Sequence, residues 1–213
     1  MDGKLSLVHR FEPAARTAAL PLLLLHGTGG NEADLLPLGK MVAPGAALLS
    51  PRGNVLEHGM PRFFRRYSEG VFDEEDLRAR THELAHFIGE ARGRYGIASP
   101  VALGYSNGAN IAAALLLLRP EVLAGAVLLR AMAPFSVRPP GAGLAGKSIL
   151  ILSGTRDPIA PQENAARLAS MLAEAGAQLE HRTVPAGHEL SQADVALARG
   201  WLQKPEASVP VVS

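Results

Sequence analysis

Val101-Ala102-Leu103-Gly104-Tyr105-Ser106-Asn107-Gly108 is the stretch on which the reading of this chain turns. Val101–Gly104 is an unbroken apolar run, as expected of a strand buried on both faces. Asn110–Arg119 is rich in Ala and Leu and has the composition of a packed helix. Ser106 therefore sits at a strand-to-helix turn. Gly104 and Gly108 remove the side chains that would clash in so tight a turn. The turn pushes the Ser106 hydroxyl outward on a strained backbone. A glycine-flanked loop serine is the plain alternative, and the pentapeptide alone does not separate the two.

Three further segments supply the separation. Ser148–Ser153 is an apolar strand that runs into Gly154-Thr155-Arg156-Asp157-Pro158, which sets Asp157 just past a strand end. Thr183-Val184-Pro185-Ala186-Gly187-His188 sets His188 on a loop after another short strand. The apolar run Leu20–Leu25 is followed by His26-Gly27-Thr28-Gly29-Gly30, a glycine-rich loop. In open sheets of alternating strands and helices, reactive groups gather at the C-terminal strand ends. Agreement among four separate segments carries more weight than any one of them.

Together these segments resemble the phospholipase/carboxylesterase family of α/β-hydrolases, which includes the acyl-protein thioesterases. The likeness runs from about Leu20 to Trp201. It rests on His26–Asn31, Gly104–Gly108, Gly154–Ile159 and Gly187-His188. Gly59-Met60-Pro61-Arg62-Phe63-Phe64-Arg65-Arg66 is more similar to bacterial stand-alone carboxylesterases than to the thioesterases. Asn107 stands where the thioesterases usually carry Gln, a change that leaves its backbone N–H in place.

The resemblance implies an α/β-hydrolase fold: a mostly parallel sheet with helices on both faces and no large cap domain. It also implies a Ser, Asp, His chain order for a catalytic triad. Ser106 would attack an ester or thioester carbonyl with His188 as base and Asp157 orienting the imidazole. The N–H groups of Thr28 and Asn107 would meet the developing oxyanion. Met60, Phe63, Phe64 and Met132 are the candidate walls of the substrate pocket. No metal and no organic cofactor is needed for such chemistry.

Composition sets the outer bounds. The 213 residues are 47% hydrophobic and 19% charged, which suits one domain with a full sheet core. We expect a single domain over residues 1–203 and a Pro-broken, frayed tail over 204–213. The formal net charge of +1 gives no long-range field for nucleic acid or an anionic membrane. The chain has no cysteine, which excludes disulfides, thiolate metal sites and a Cys nucleophile. Its N-terminal residues lack the apolar core of a signal peptide, so a cytoplasmic location is expected. Asn110–Leu129 is apolar, but Arg119-Pro120-Glu121 interrupts it, so it reads as helix, turn and strand, not a membrane span. The expected partner is a small ester or thioester, and the chain is expected to be a monomer or homodimer.

Strands and helices alternate along the remainder. Leu5–Phe11 reads as an edge strand and Ala46–Leu49 as a buried one. Asp73–Tyr95 begins acidic and ends basic, as a helix dipole favours. Ala124–Leu129 and Leu179–Val184 read as strands, Pro161–Ala175 and Ser191–Leu202 as helices. Asn54–Gly70 has no apolar period, reads as irregular, and is the one lid candidate. Its Arg62, Arg65 and Arg66 are expected to pair with Glu69 and the cluster Asp73–Asp76.

Three other features point elsewhere. His82-Glu83-Leu84-Ala85-His86 matches a helical zinc-peptidase motif, with Glu83 as base. No third ligand follows a pattern, and Arg92 holds the next ligand position, so we expect ordinary helix residues. Gly141–Ser148 matches a phosphate-binding loop literally, yet the strand follows it where a helix should. It reads as a loop entering a strand. His26 precedes the glycine-rich loop and is expected to hold it by hydrogen bonding. A non-catalytic module on a hydrolase fold would be expected to lack a triad member, and none is missing here.

Overall fold

Short apolar runs punctuated by Gly and Pro become strands buried on both faces, and the periodic runs between them become covering helices. The computed structural model describes residues 5–16, 20–140 and 143–204. In chain order it begins with β1 (His9–Glu12), β2 (Leu22–Leu25), α1 (Leu36–Val42) and β3 (Leu48–Pro51). Four short strands follow: β4 (Val55–Glu57), β5 (Met60–Arg62), β6 (Arg66–Ser68) and β7 (Val71–Phe72). Next come α2 (Glu74–Tyr95), β8 (Val101–Tyr105), α3 (Asn107–Leu118) and β9 (Gly125–Leu129). The last elements are β10 (Ser148–Gly154), α4 (Gln162–Glu174), β11 (Gln178–Val184) and α5 (Gln192–Leu202).

Seven strands form one sheet in the order β1-β3-β2-β8-β9-β10-β11. Edge strand β1 is antiparallel to β3, and the other pairings are parallel. β2 shows how the layers are built. Leu23 and Leu25 face the core shared with α2, α3 and α4, while Leu22 and Leu24 face the core shared with α1 and α5. All four are fully buried, each contributing roughly 1.5–3 kcal/mol. The acidic start of α2 is capped by the Asp73 carboxylate, which accepts from the Asp76 N–H at 3.1 Å. No helix among the described residues is long and apolar enough to cross a membrane.

The structure departs from the sequence reading in two places. Asn54–Gly70 is not irregular: β4–β5 and β6–β7 are hairpins. The first turns through His58 (φ 50°) and Gly59 (φ 80°), the double positive φ of a tight hairpin turn. Strands of two or three residues are too short for apolar alternation to register. The second departure is α1, which went unread because seven residues containing Pro37 and Gly39 make a weak helical signal. Elsewhere element ends shift by a few residues, as ends do. Of the tail expected over 204–213, Lys204 is described and donates to Glu180 at 2.7 Å, while the rest lies outside the described residues, as do Gly141 and Ala142 of the phosphate-loop lookalike. Lys147, from its described part, leads directly into β10 and donates to the Leu123 carbonyl at 2.7 Å.

Candidate active site

β8 ends at Tyr105 and α3 begins at Asn107, so Ser106 alone makes the turn. It holds φ 52° and ψ −116°, a strained conformation for a residue with a side chain. Packing enforces it. A Cβ on Gly108 would collide with the Leu25 carbonyl, and one on Gly104 would lie 2.6 Å from the Gly108 carbonyl oxygen. The Ser106 hydroxyl makes no helix-capping bond. Instead Oγ lies 2.9 Å from His188 Nε2.

His188 stands four residues past β11, with its side chain 16% exposed. Its Nδ1 is 2.9 Å from Asp157 Oδ2 and 3.1 Å from Oδ1. Asp157 lies three residues past β10 with a fully buried side chain. Its Oδ1 also accepts from the N–H groups of Ile159 at 2.8 Å and Ala160 at 2.9 Å, which fixes the carboxylate plane. A carboxylate only accepts, so the imidazole proton belongs on Nδ1 and Nε2 is left to accept from Ser106.

Two residues with uncommitted backbone N–H groups border the cavity over Ser106. Asn107 supplies the first amide of α3, and Thr28 lies in the loop after β2. Among the described residues, neither N–H donates to another protein group. Their neighbours are committed: Gly29 N–H donates to Pro61 at 2.9 Å and Gly30 N–H to Gly27 at 3.1 Å. The Asn107 side chain accepts from the Phe63 N–H at 2.8 Å, locking the helix start to the hairpin segment. Its Nδ2 is buried without a partner. His26 braces the loop from below. Nε2 accepts from the Gly53 N–H at 3.0 Å and Nδ1 donates to the Gly27 carbonyl at 2.7 Å. Burial holds the His26 imidazole below its ordinary pKa, against the opposing pull of the Gly27 carbonyl.

A cavity of about 220 Å³ opens over Ser106, with Thr28, Asn107 and His188 in its wall. Met132 lines it. Phe63 and Phe64 do not. They are 3% and 0% exposed, in the core beneath. Phe63 packs on the His26 ring and Phe64 edge-on against Phe72, and it is Phe72 that reaches the cavity. The two rings lie on the bend between the hairpins, whose backbone is held by Asn107 at the Phe63 N–H and by Arg62 at the Phe64 carbonyl. Met60 is 42% exposed, near Gly29 at the rim of the glycine-rich loop and outside the cavity wall.

The arginines follow the expected pairing only in part. Arg65 pairs with Asp73 at 3.1 Å and Arg66 with Glu69 at 2.7 Å. Arg62 turns inward, 2% exposed, and pairs with Glu57 at 3.0 Å. His82, Glu83 and His86 are exposed on the outer face of α2, and Glu83 accepts from Arg80 at 2.8 Å. Among the described residues no three His, Cys, Asp or Glu side chains converge to hold a metal. The sequence marks neither Tyr105 nor Phe72 as a site residue, and it offers Arg62 only as one of a cluster of surface charges. Tyr105 and Phe72 look like core residues by type, and Arg62 like a surface charge.

Known proteins resemble this one over nearly its whole length. MhqD of Bacillus subtilis (strain 168), a hydrolase by name, is 48% identical over 191 residues, which is 86% of this chain and 92% of that protein. The crystal structure of the Bacillus cereus carboxylesterase superposes with a TM-score of 0.89 at 48% identity, over 92% of this chain and 93% of that one. A carboxylesterase from Mesorhizobium loti also gives 0.89, at 34% identity, over 94% and 96%. No family model matches the chain.

Proposed function

The chain belongs to the carboxylesterase family of α/β-hydrolases, and on that premise we propose that it hydrolyses small carboxylic esters and thioesters through an acyl-enzyme on Ser106. The observation that carries this reading is the unbroken hydrogen-bond chain from Asp157 through His188 to Ser106. A serine hydroxyl is a poor nucleophile until a base takes its proton. His188 Nε2 accepts that proton as Oγ attacks the carbonyl carbon. The Asp157 carboxylate stabilises the imidazolium that results and keeps the ring in one tautomer. Negative charge gathers on the substrate oxygen, where the N–H groups of Thr28 and Asn107 receive it. Such a preorganised donor is worth roughly 10²–10³ in turnover. Collapse expels the alcohol or thiol, which takes the proton from His188. Water then repeats the sequence and releases the acid.

The test is turnover of p-nitrophenyl butyrate by Ser106→Ala. Loss of a triad nucleophile costs on the order of 10⁶ in a comparable serine protease. A folded variant retaining more than a tenth of wild-type kcat would end this reading.

A further inference from the structure

The loop that carries His188 is held by side chains from two other strand ends. Arg130 is the first residue past β9, and its own N–H continues the ladder by donating to Leu152 of β10 at 2.9 Å. Its backbone is left-handed, φ 56°, which a residue with a side chain rarely adopts. From there the side chain passes under the strand ends with no exposure. All five guanidinium N–H groups are engaged. Nε donates to the Gly187 carbonyl at 2.8 Å, and Nη2 to the Glu189 carbonyl at 3.0 Å. Nη1 donates to the Leu152 carbonyl at 3.3 Å. Nη1 and Nη2 each donate to the Asp194 carboxylate at 2.8 Å, a two-pronged pair. The carbonyl between, that of His188 itself, accepts from the Tyr105 hydroxyl at 3.1 Å.

Three consecutive carbonyls, 187 to 189, are thus each taken by a side-chain donor from outside the loop. Asp194 is anchored in turn. It is the third residue of α5, and its Oδ2 accepts from the Ser191 N–H at 2.8 Å and the Ser191 hydroxyl at 2.7 Å. Burial alone would push the Asp194 carboxyl up. The Arg130 and Ser191 bonds outweigh it and hold the group below the ordinary carboxylate range. Burial pushes the Tyr105 hydroxyl up, so it stays a donor.

We propose that Arg130 and Tyr105 form a clamp that fixes the backbone of His188, and that Arg130 is a positioning residue for the base. This inference rests on the triad reading and deepens it. Asp157 and Ser106 engage the ring, but a ring on a loose backbone would sample geometries from which Oγ is not in line. Misplacement by about 1 Å can cost on the order of 10²-fold. Lysine has only three N–H donors on one nitrogen and cannot reproduce the fork.

The test uses Arg130→Met/Asp194→Asn, which removes both buried charges together and leaves an acceptor for the α5 cap, alongside Arg130→Lys and Tyr105→Phe. Two readouts are taken. One is kcat and KM on p-nitrophenyl butyrate. The other is the downfield proton resonance of the His188 Nδ1–H bonded to Asp157, read without any turnover. The clamp predicts that the folded double variant loses at least tenfold in kcat, keeps KM within twofold, and shows a broadened downfield proton. A folded double variant with kcat within twofold and an unchanged proton overturns it. If that variant does not fold, the single variants decide. The clamp stands if either loses at least fivefold in kcat at unchanged KM with a broadened proton, and falls if both match wild type. Turnover that survives Ser106→Ala in an otherwise wild-type chain would refute the triad reading itself, whereas an inactive Ser106→Ala beside clamp variants that match wild type would refute the clamp alone.

Discussion

Arg62 Nη1 donates to Thr28 Oγ1 at 2.8 Å, so a residue at the end of the first hairpin grips the glycine-rich loop after β2. The same nitrogen pairs with Glu57 at 3.0 Å, and Nε donates to the Phe64 carbonyl at 3.2 Å. The hairpins therefore do more than roof the cavity. They also hold the loop that carries Thr28, the oxyanion donor we propose.

Arg62→Met tests that coupling. It removes one of the two arginines on Glu57, leaving Arg66 at 2.9 Å, and frees the Thr28 side chain while leaving every triad atom in place. We expect a loss of about 1–3 kcal/mol in stability, measured by urea unfolding. kcat should fall about tenfold, since one donor of the kind discussed is worth roughly 10²–10³ when wholly removed and here is only loosened. Thr28→Val, which keeps the N–H and removes the hydroxyl, should show the smaller effect of the two. Unchanged kcat in both would leave the hairpin as a structural cover only.

Acid stability should fall in two stages. The His26 imidazole is held below its ordinary value, so the unfolded chain binds more protons in that range. Its contribution is complete above about pH 6.5 and is lost as pH falls through the folded value. Asp194 is also held low, and its contribution is lost only as pH falls from about 4 downward. Melting temperature followed from pH 7.5 to 5 should decline for wild type. His26→Gln should be less stable at pH 7.5 and flatter below it. A wild-type profile already flat over that interval would contradict the assignment.

Short acyl chains should be preferred. The cavity of about 220 Å³ is below the roughly 300–1,000 Å³ of drug-sized sites. Each methylene it cannot bury forgoes about 0.8 kcal/mol. Compared below their micellar concentrations, the butyrate ester should exceed the palmitate ester by tenfold or more in kcat/KM. The reverse order would remove the small-pocket reading and leave the triad untouched.

Chelation should be harmless. His82 and His86 point away from the cavity, and their helix neighbour Glu83 is taken by Arg80. We expect EDTA, and separately His82→Ala/His86→Ala, to leave ester turnover within twofold of wild type. EDTA-sensitive turnover that zinc restores would contradict this.

The parts of the site legible in the sequence are those where chemistry and backbone share one short segment. Ser106 between two glycines and Asp157 after a β-branched, leucine-rich run both announce a strand end. His188 follows the same rule. Phe63 and Phe64 were misread because a residue type says nothing of direction once a turn has been missed. His58-Gly59 was the available signal, weak beside the more common Asn-Gly and Asp-Gly turns. Arg130 was invisible for another reason. Its partners in the His188 loop and α5 lie 57 to 64 residues away, and only the strand order brings them to it. Sequence patterning encodes which face a residue takes, not which distant loop it will meet.

The central claim is that Ser106 becomes a nucleophile because His188 and Asp157 stand behind it. The most direct measurement is covalent capture with a fluorophosphonate, followed by intact mass and peptide mapping. The account predicts one adduct per chain, on the peptide carrying Ser106. It predicts a labelling rate that collapses in His188→Ala, though that variant keeps the serine. An adduct on another residue, or undiminished labelling of Ser106 in His188→Ala, would contradict it.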